Sequence, residues 1–256
     1  MTTALLVWKM LLFRLKEFAV SAWFLLISVL QPIIFATIAF YMFRTGGKPG
    51  TLLYAALGAG MMGIWSSTLF GSGGALQWQR WQGTLELLVA SPPPFVIVLL
   101  PMALATSITG AYALVSTLVW GRLLFGVPLH LAHPVAFAVA VPVTVLALGL
   151  MGLLLASSFV LYRHANALSN LLEYPVWVAS GLIFPISLLP GWSHPISWIL
   201  APTWGVRAIR AAALGGSPWG PIGWAALLGV VYLALAAVFL RIFEYQARAR
   251  ATLSLT

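Results

Sequence analysis

Long apolar runs alternate with short polar segments along the whole chain. Six runs stand out, at residues 19–43, 51–76, 95–121, 134–161, 165–189 and 219–240. Each has close to the ~20 apolar residues that a helix needs to cross a bilayer. Inside lipid every backbone N–H and C=O must bond within its own segment, so such runs fold as helices. The alternating segments of roughly 10 residues that mark a membrane β-barrel do not occur. The pattern predicts an all-α membrane protein with six transmembrane helices, forming a single transmembrane domain over residues 1–256.

The segments between the runs have patterns of their own. At residues 1–18, Trp8, Leu11, Leu12 and Leu15 recur at helical spacing towards Ala19, while Lys9, Lys16 and Glu17 fall elsewhere. This predicts an interfacial helix lying along the cytoplasmic surface. The same charges, with Arg14, interrupt any apolar core of a signal peptide, so none is expected. Residues 77–94 predict a short amphipathic cytoplasmic helix. Thr84 can cap it, Glu86 suits its first turn, Trp81, Leu85 and Leu88 share a face, and Pro92, Pro93 and Pro94 end it. Residues 185–210 are too apolar for a loop and too broken by Pro185, Pro190, Pro195 and Pro202 for a straight span. Trp192, Trp198 and Trp204 favour the membrane boundary, so this segment reads as an outer re-entrant helical hairpin.

Composition agrees. Charged residues make up 7% of the chain and hydrophobic residues 62%, with a mean hydropathy of +1.02; soluble proteins carry roughly 25% charged residues. The net charge of +9 comes from basic residues that flank apolar runs, where they orient helices and meet anionic headgroups. Nucleic acid is therefore not an expected partner, whereas membrane lipid is. With both termini in the cytoplasm, eight basic residues lie inside (Lys9, Arg14, Lys16, Arg80, Arg163, Arg241, Arg248 and Arg250). Five lie outside (Arg44, Lys48, Arg122, Arg207 and Arg210). That excess favours this orientation. Cysteine is absent, which removes disulfides and thiolate metal sites. The abundance of Arg, Ala, Gly, Pro and Trp hints at a bacterial source, and so at a bacterial plasma membrane.

Catalytic and nucleotide-binding patterns are missing. No G-x-x-x-x-G-K-[ST] loop occurs; Gly46-Gly47-Lys48 lacks the upstream glycine and runs into Pro49. His130, His133, His164 and His194 are scattered near predicted membrane surfaces, so no metal site is expected. The chain is not expected to be an enzyme or to bind a cofactor itself. One buried charge is informative. Glu173 falls about 10 residues into the fifth run, roughly 15 Å along a helix. A charge at the bilayer centre costs about 2.5–3.5 kcal/mol, so Glu173 should face protein or a wet cavity. Asn166, Asn170 and Glu173 follow each other by helical steps, Trp177 and Ser180 continue the stripe, and Pro175 frees a carbonyl nearby. The stripe is a candidate substrate path. The alternative is that Glu173 is protonated, or pairs with an arginine of the N-terminal helix or a neighbouring span, and only fixes packing.

Several motifs carry a resemblance. Gly83-Thr84-Leu85-Glu86-x-Leu88 followed by Pro92 resembles the segment between the second and third spans of ABC-2 type transporter permeases. Ser180-Gly181-Leu182-Ile183-Phe184-Pro185, Leu189-Pro190-Gly191-Trp192, Ala201-Pro202-Thr203 and Arg210 are similar to that family's C-terminal signature, and Gln31-Pro32 to its first span. Gln82, with only Arg80 upstream, departs from the Arg/Glu pair often found there. The resemblance implies the permease subunit of an ABC exporter. It implies pairing with a second permease copy or a paralogue, and two separate ABC ATPase subunits that carry ATP and Mg. Trp81, Gly83, Thr84, Leu85, Glu86 and Leu88 would form the coupling helix that enters the ATPase, and the fifth span would line the central path. The Phe/Leu-rich first span looks closer to the branch that exports drugs or lipids. Two rival readings are a membrane enzyme acting on lipid-linked substrates and a scaffold without transport activity.

Overall fold

The computed structural model describes residues 3–44, 51–84, 87–88, 91–159 and 165–250. Nine α-helices, two 3-10 turns and no strands occur among these residues. The helices are α1 (Thr3–Val20), α2 (Ala22–Arg44), α3 (Thr51–Trp81), α4 (Phe95–Phe125), α5 (Pro134–Phe159), α6 (Ala165–Ala179), α7 (His194–Trp198), α8 (Ala201–Leu214) and α9 (Trp219–Arg250). Among the described residues four segments are long and apolar enough to cross a membrane: Leu52–Ser72 of α3, Phe95–Phe125, Pro134–Ser158 of α5 and Trp219–Tyr245 of α9. Helix α2 adds a shorter apolar stretch, Leu30–Met42.

Helix α3 lies in the middle. Of its apolar window 78% is buried, against 28% for that of α9, because α2, α4, α5, α6 and α8 all pack around it. Its fully buried Leu57, Met61, Ile64, Trp65 and Leu69 follow the three- and four-residue steps of a helix face. With little hydrophobic force between helices in lipid, close approach and hydrogen bonds hold such a bundle together. Between α3 and α4, Ser67 Oγ donates to the Thr106 carbonyl (2.9 Å) and the Ser72 and Thr106 hydroxyls meet at 3.2 Å. A second apolar core joins Phe95, Leu99, Leu153, Leu240 and Phe243 at the end of the bundle where α4 begins and α9 finishes.

Helix α1 ends at Val20 and packs on α4 through buried Leu11, with Arg14 bonded to Glu17 at 2.7 Å. Its outer side carries Trp8 and Phe13, 56% and 67% exposed. The apolar face read from the sequence is thus divided: Leu11 turns to protein, and Trp8 and Leu12 turn away.

The fifth apolar run departs from expectation. It was expected to remain helical to residue 189, but α6 stops at Ala179 after 15 residues. Gly181 takes φ +73°, a left-handed conformation that a side chain disfavours, and Pro185 bars a return to helix. The chain then crosses two 3-10 turns, Ile186–Leu188 and Gly191–Ser193, and enters α7. Helix α8 is almost wholly buried, against α5, α9 and α3. It closes one end of the bundle. The backbone N–H groups of Ala132 and His133 donate to the Ala213 and Ala212 carbonyls (3.0 and 2.8 Å), satisfying acceptors that a helix end leaves unpaired.

Arg210 anchors this end. Its guanidinium, 8% exposed, donates to the carbonyls of Gly181 (2.6 Å), Leu182 (2.6 Å) and Tyr54 (3.3 Å) and lies 3.4 Å from the centre of the Tyr54 ring. Gly58 makes room: a Cβ there would stand 2.1 Å from the Leu182 oxygen and 2.5 Å from the guanidinium. Arg210→Ala takes a buried donor from the Gly181 and Leu182 carbonyls and should cost about 1–3 kcal/mol for each one left unsatisfied. Arg210→Lys should lose less, because the charge remains while the fork is lost. Thermal unfolding of the detergent-purified protein checks the order wild type, Lys, Ala.

Candidate substrate cleft and coupling segment

Glu173 is buried, and it accepts a hydrogen bond of 2.6 Å from Ser66 Oγ of α3. Pro175 lies within α6 without ending it, as membrane helices tolerate when neighbours satisfy the freed groups. Glu173 sits in the wall of a partly open cleft of about 640 Å³ between α2, α3, α4 and α6. Gln31, Ser66, Ser67, Thr109 and Tyr112 supply further polar groups, but Ser67 and Thr109 spend their hydroxyl protons on α4 carbonyls. Among the described residues, Glu173 is the one charged side chain lining the cleft. Gly63 lets α3 and α4 approach closely in the cleft wall, where a Cβ would stand 2.5 Å from Ala113.

The other stripe residues are placed differently. Trp177 lines the cleft, with its ring edge-on to Phe35 (5.3 Å between centroids) and Tyr174 (5.0 Å), and its indole N–H is buried without a hydrogen-bond partner among the described residues. Ser180 is fully buried beyond the cleft, its hydroxyl likewise unpartnered among the described residues. Asn170 is exposed and does not line the cleft. The Asn166 side chain lies outside the described residues. The arginine pairing considered for Glu173 is replaced by the bond to Ser66. Sequence reasoning missed Ser66 and the aromatic wall, because bringing α3 and α2 beside α6 is a matter of packing and not of spacing.

At the opposite end from Arg210, α3 finishes at Trp81 and Gly83 turns the chain with φ +67°. The Thr84 hydroxyl donates to the Gln79 side-chain oxygen, and the Thr84 N–H donates to the Gln79 carbonyl at 3.0 Å. The Leu88 N–H returns to the Thr84 carbonyl at 3.1 Å, closing one helical turn. Leu85 and Glu86 lie outside the described residues. Leu88 packs on the second core, while Leu87 and Trp81 stand 71% and 67% exposed. Of the face read from the sequence, Trp81 is exposed, Leu88 turns inward and Leu85 lies outside the described residues; Leu87 is an exposed apolar residue beside them. Glu244 of α9 accepts a bond of 3.4 Å from the Phe95 N–H; this joins the start of α4, just past the prolines, to α9.

The sequence model of the family described as ABC-2 type transporter matches residues 3–214. That stretch includes the cleft, the turn at Gly83 and the Arg210 anchor. The chain belongs to the ABC-2 type transporter family. It is a multi-pass membrane protein and the transport subunit of its system, and permeases of this family typically work with ABC ATPase partners. The matched stretch ends before α9, so the second core joins family-matched helices to one beyond the match. No curated protein matches the chain.

In this ABC-2 permease the Ser66–Glu173 bond crosses from α3 to α6 inside the cleft. Ser66→Ala leaves a buried carboxyl without that donor and should cost about 1–3 kcal/mol. A thermal midpoint of the purified protein lower than that of wild type, with unchanged helical content, is the expected result.

Proposed function

We propose that this chain is the permease subunit of an ABC exporter in the bacterial plasma membrane, moving an amphiphilic drug-like or lipid-like substrate. The supporting observation is the cleft: mostly apolar walls, a few polar groups and one buried carboxyl, on helices that also carry the ABC-2 motifs. Its six spans would be α2, α3, α4, α5, α6 and α9, with α6 completed by the turns that follow it, and both termini cytoplasmic. Helix α1 would lie in the cytoplasmic interface, and residues 185–210 would stay on the outer side. A single chain leaves the cleft open beside Ile34 and Tyr174, which are 53% and 62% exposed, and a second permease copy or paralogue would complete the wall.

Two ABC ATPase subunits would dock beneath, holding ATP and Mg. Trp81, Gly83, Thr84, Leu85, Glu86 and Leu88, together with the outward Leu87, would form the coupling element. A short turn anchored to Gln79 on one side and to the second core on the other passes force to α3 and α4 together.

Two experiments test this reading. The tagged chain, purified from its native membrane, should bring an ABC ATPase with it. Leu87→Ser and Glu86→Ala should weaken that association or its ATP turnover several-fold while membrane insertion persists; unchanged association and turnover in both variants would remove the coupling role. Topology is read at Gly191, which is exposed with open space around it. Cysteine placed there in the cysteine-free chain should react with an impermeant maleimide from outside intact cells. Ser193 and Ser197 are unsuitable, being 6% and 0% exposed.

A further inference from the structure

Next to the Glu173 cleft lies a second cavity of about 240 Å³. The two share Phe35, Tyr174 and Trp177, so the aromatic group that ends the cleft begins the annex. The annex walls come from Ile38, Ala39, Met42, Ala55, Ala59 and Met62, and among the described residues no charged side chain lines it. It runs from the level of Glu173 towards the bundle end that holds Leu182 and the Arg210 anchor.

The two cavities sort ligand chemistry by position. In the cleft a carboxyl sits among aromatic rings, and no Lys, Arg or His lines it among the described residues. A cation brought within a few ångströms of a carboxyl favours its charged form, so a cationic ligand and this carboxyl would stabilise each other. Aromatic faces stabilise quaternary ammonium groups, for which desolvation is cheap compared with a primary amine. An anionic headgroup would meet Glu173 with repulsion and find no basic partner. The annex favours hydrocarbon, because its walls beyond Tyr174 and Trp177 are aliphatic, phenyl and thioether side chains that offer a polar group little to bond.

We infer that the permease binds an amphiphilic organic cation, with its ammonium head at Glu173 against the cleft side of the Tyr174–Trp177 ring pair and its hydrocarbon chain in the annex. This rests on the permease reading and narrows its substrate class. The head lies at mid-bundle and the tail points to the Arg210 end, so the ligand is bound with its apolar part leading. Ser66 orients the carboxyl by donating to one oxygen and leaves the other for the ligand.

The test is equilibrium binding by the full-length chain in nanodiscs of neutral lipid, with a radiolabelled long-chain alkyltrimethylammonium as probe. Tetramethylammonium and an uncharged amphiphile of equal chain length serve as competitors. Wild type should bind the long-chain cation at least tenfold more tightly than either competitor. Glu173→Gln keeps the shape and the Ser66 bond and should lower affinity for the cation at least tenfold. Ala39→Leu fills the annex without touching Glu173 and should bring affinity for the long-chain cation down towards that of tetramethylammonium. Unchanged binding in Glu173→Gln, or equal competition by the uncharged amphiphile, overturns the proposal. If Glu173→Gln fails to fold, as judged by size exclusion, Ala39→Leu decides: unchanged chain-length preference there overturns it. No ATPase is present in this measurement, so failure here and failure of the ATPase co-purification are separate results.

Discussion

A single guanidinium group, Arg210, holds together the end of the bundle on which the rest depends. It replaces water for three carbonyls that belong to two different parts of the chain, the break after α6 and the first turn of α3. The Gly181 and Leu182 carbonyls are open for a reason. Gly181 leaves the helical conformation, and the chain beyond it no longer returns N–H groups in helical register. In a low-dielectric setting an unpaired carbonyl is costly, so the break after α6 can exist only with a donor brought to it. A five-donor planar group on a buried helix meets the need, and Gly58 is small because that group must lie against α3.

That anchor also orders the cleft. With the end of α6 tied to α3, Glu173 falls within reach of Ser66, and Trp177 falls beside Phe35 of α2. The neighbouring tryptophans add a second layer at the same end. Trp204 donates its N–H to the Trp198 carbonyl (2.8 Å) and stacks on Trp224 at 5.4 Å, with Arg207 over its other side at 5.1 Å. Tyr232 of α9 bonds to the Ile199 carbonyl. The chain's most irregular backbone is thus enclosed by its most polar packing.

Much of the architecture was legible in the linear pattern, because a bilayer imposes length and composition so strongly. The starts of α3, α4, α5 and α9 coincide with the apolar runs at Thr51, Phe95, Pro134 and Trp219. Ends were less legible: α9 runs to Arg250, well past residue 240, since polar residues continue a helix once it leaves the apolar layer. The stop of α6 at Ala179 was hidden because Leu182, Ile183 and Phe184 keep the run apolar while Gly181 bends it. For the site, Glu173 was legible as a charge out of place, and Trp177 as its neighbour one turn on. Ser66, Phe35 and Tyr112 were not, since no local pattern distinguishes a serine facing a carboxyl from one bonded to its own helix, as Thr68 is. Asn170 shows the converse: a shared helical stripe spans enough arc for one member to enter a cleft and another to leave it.

Because Arg210 grips α3 near Tyr54 and the proposed coupling turn follows Trp81, the central helix is held at one extremity and, on that proposal, would be handled at the other. At 1.5 Å per residue, the distance from Tyr54 to Trp81 is roughly 40 Å, and from Tyr54 to Ser66 roughly 18 Å. The guanidinium is then a fulcrum, and the floor of the cleft sits a little under halfway along the arm. Under the proposed coupling role, a sideways stroke at the Gly83 turn would reach Ser66 reduced by about half and Tyr54 hardly at all. Such a rod would widen or narrow the middle of the bundle while its far mouth stayed shut, so a cargo would be loosened from its seat before the exit was given any reason to open.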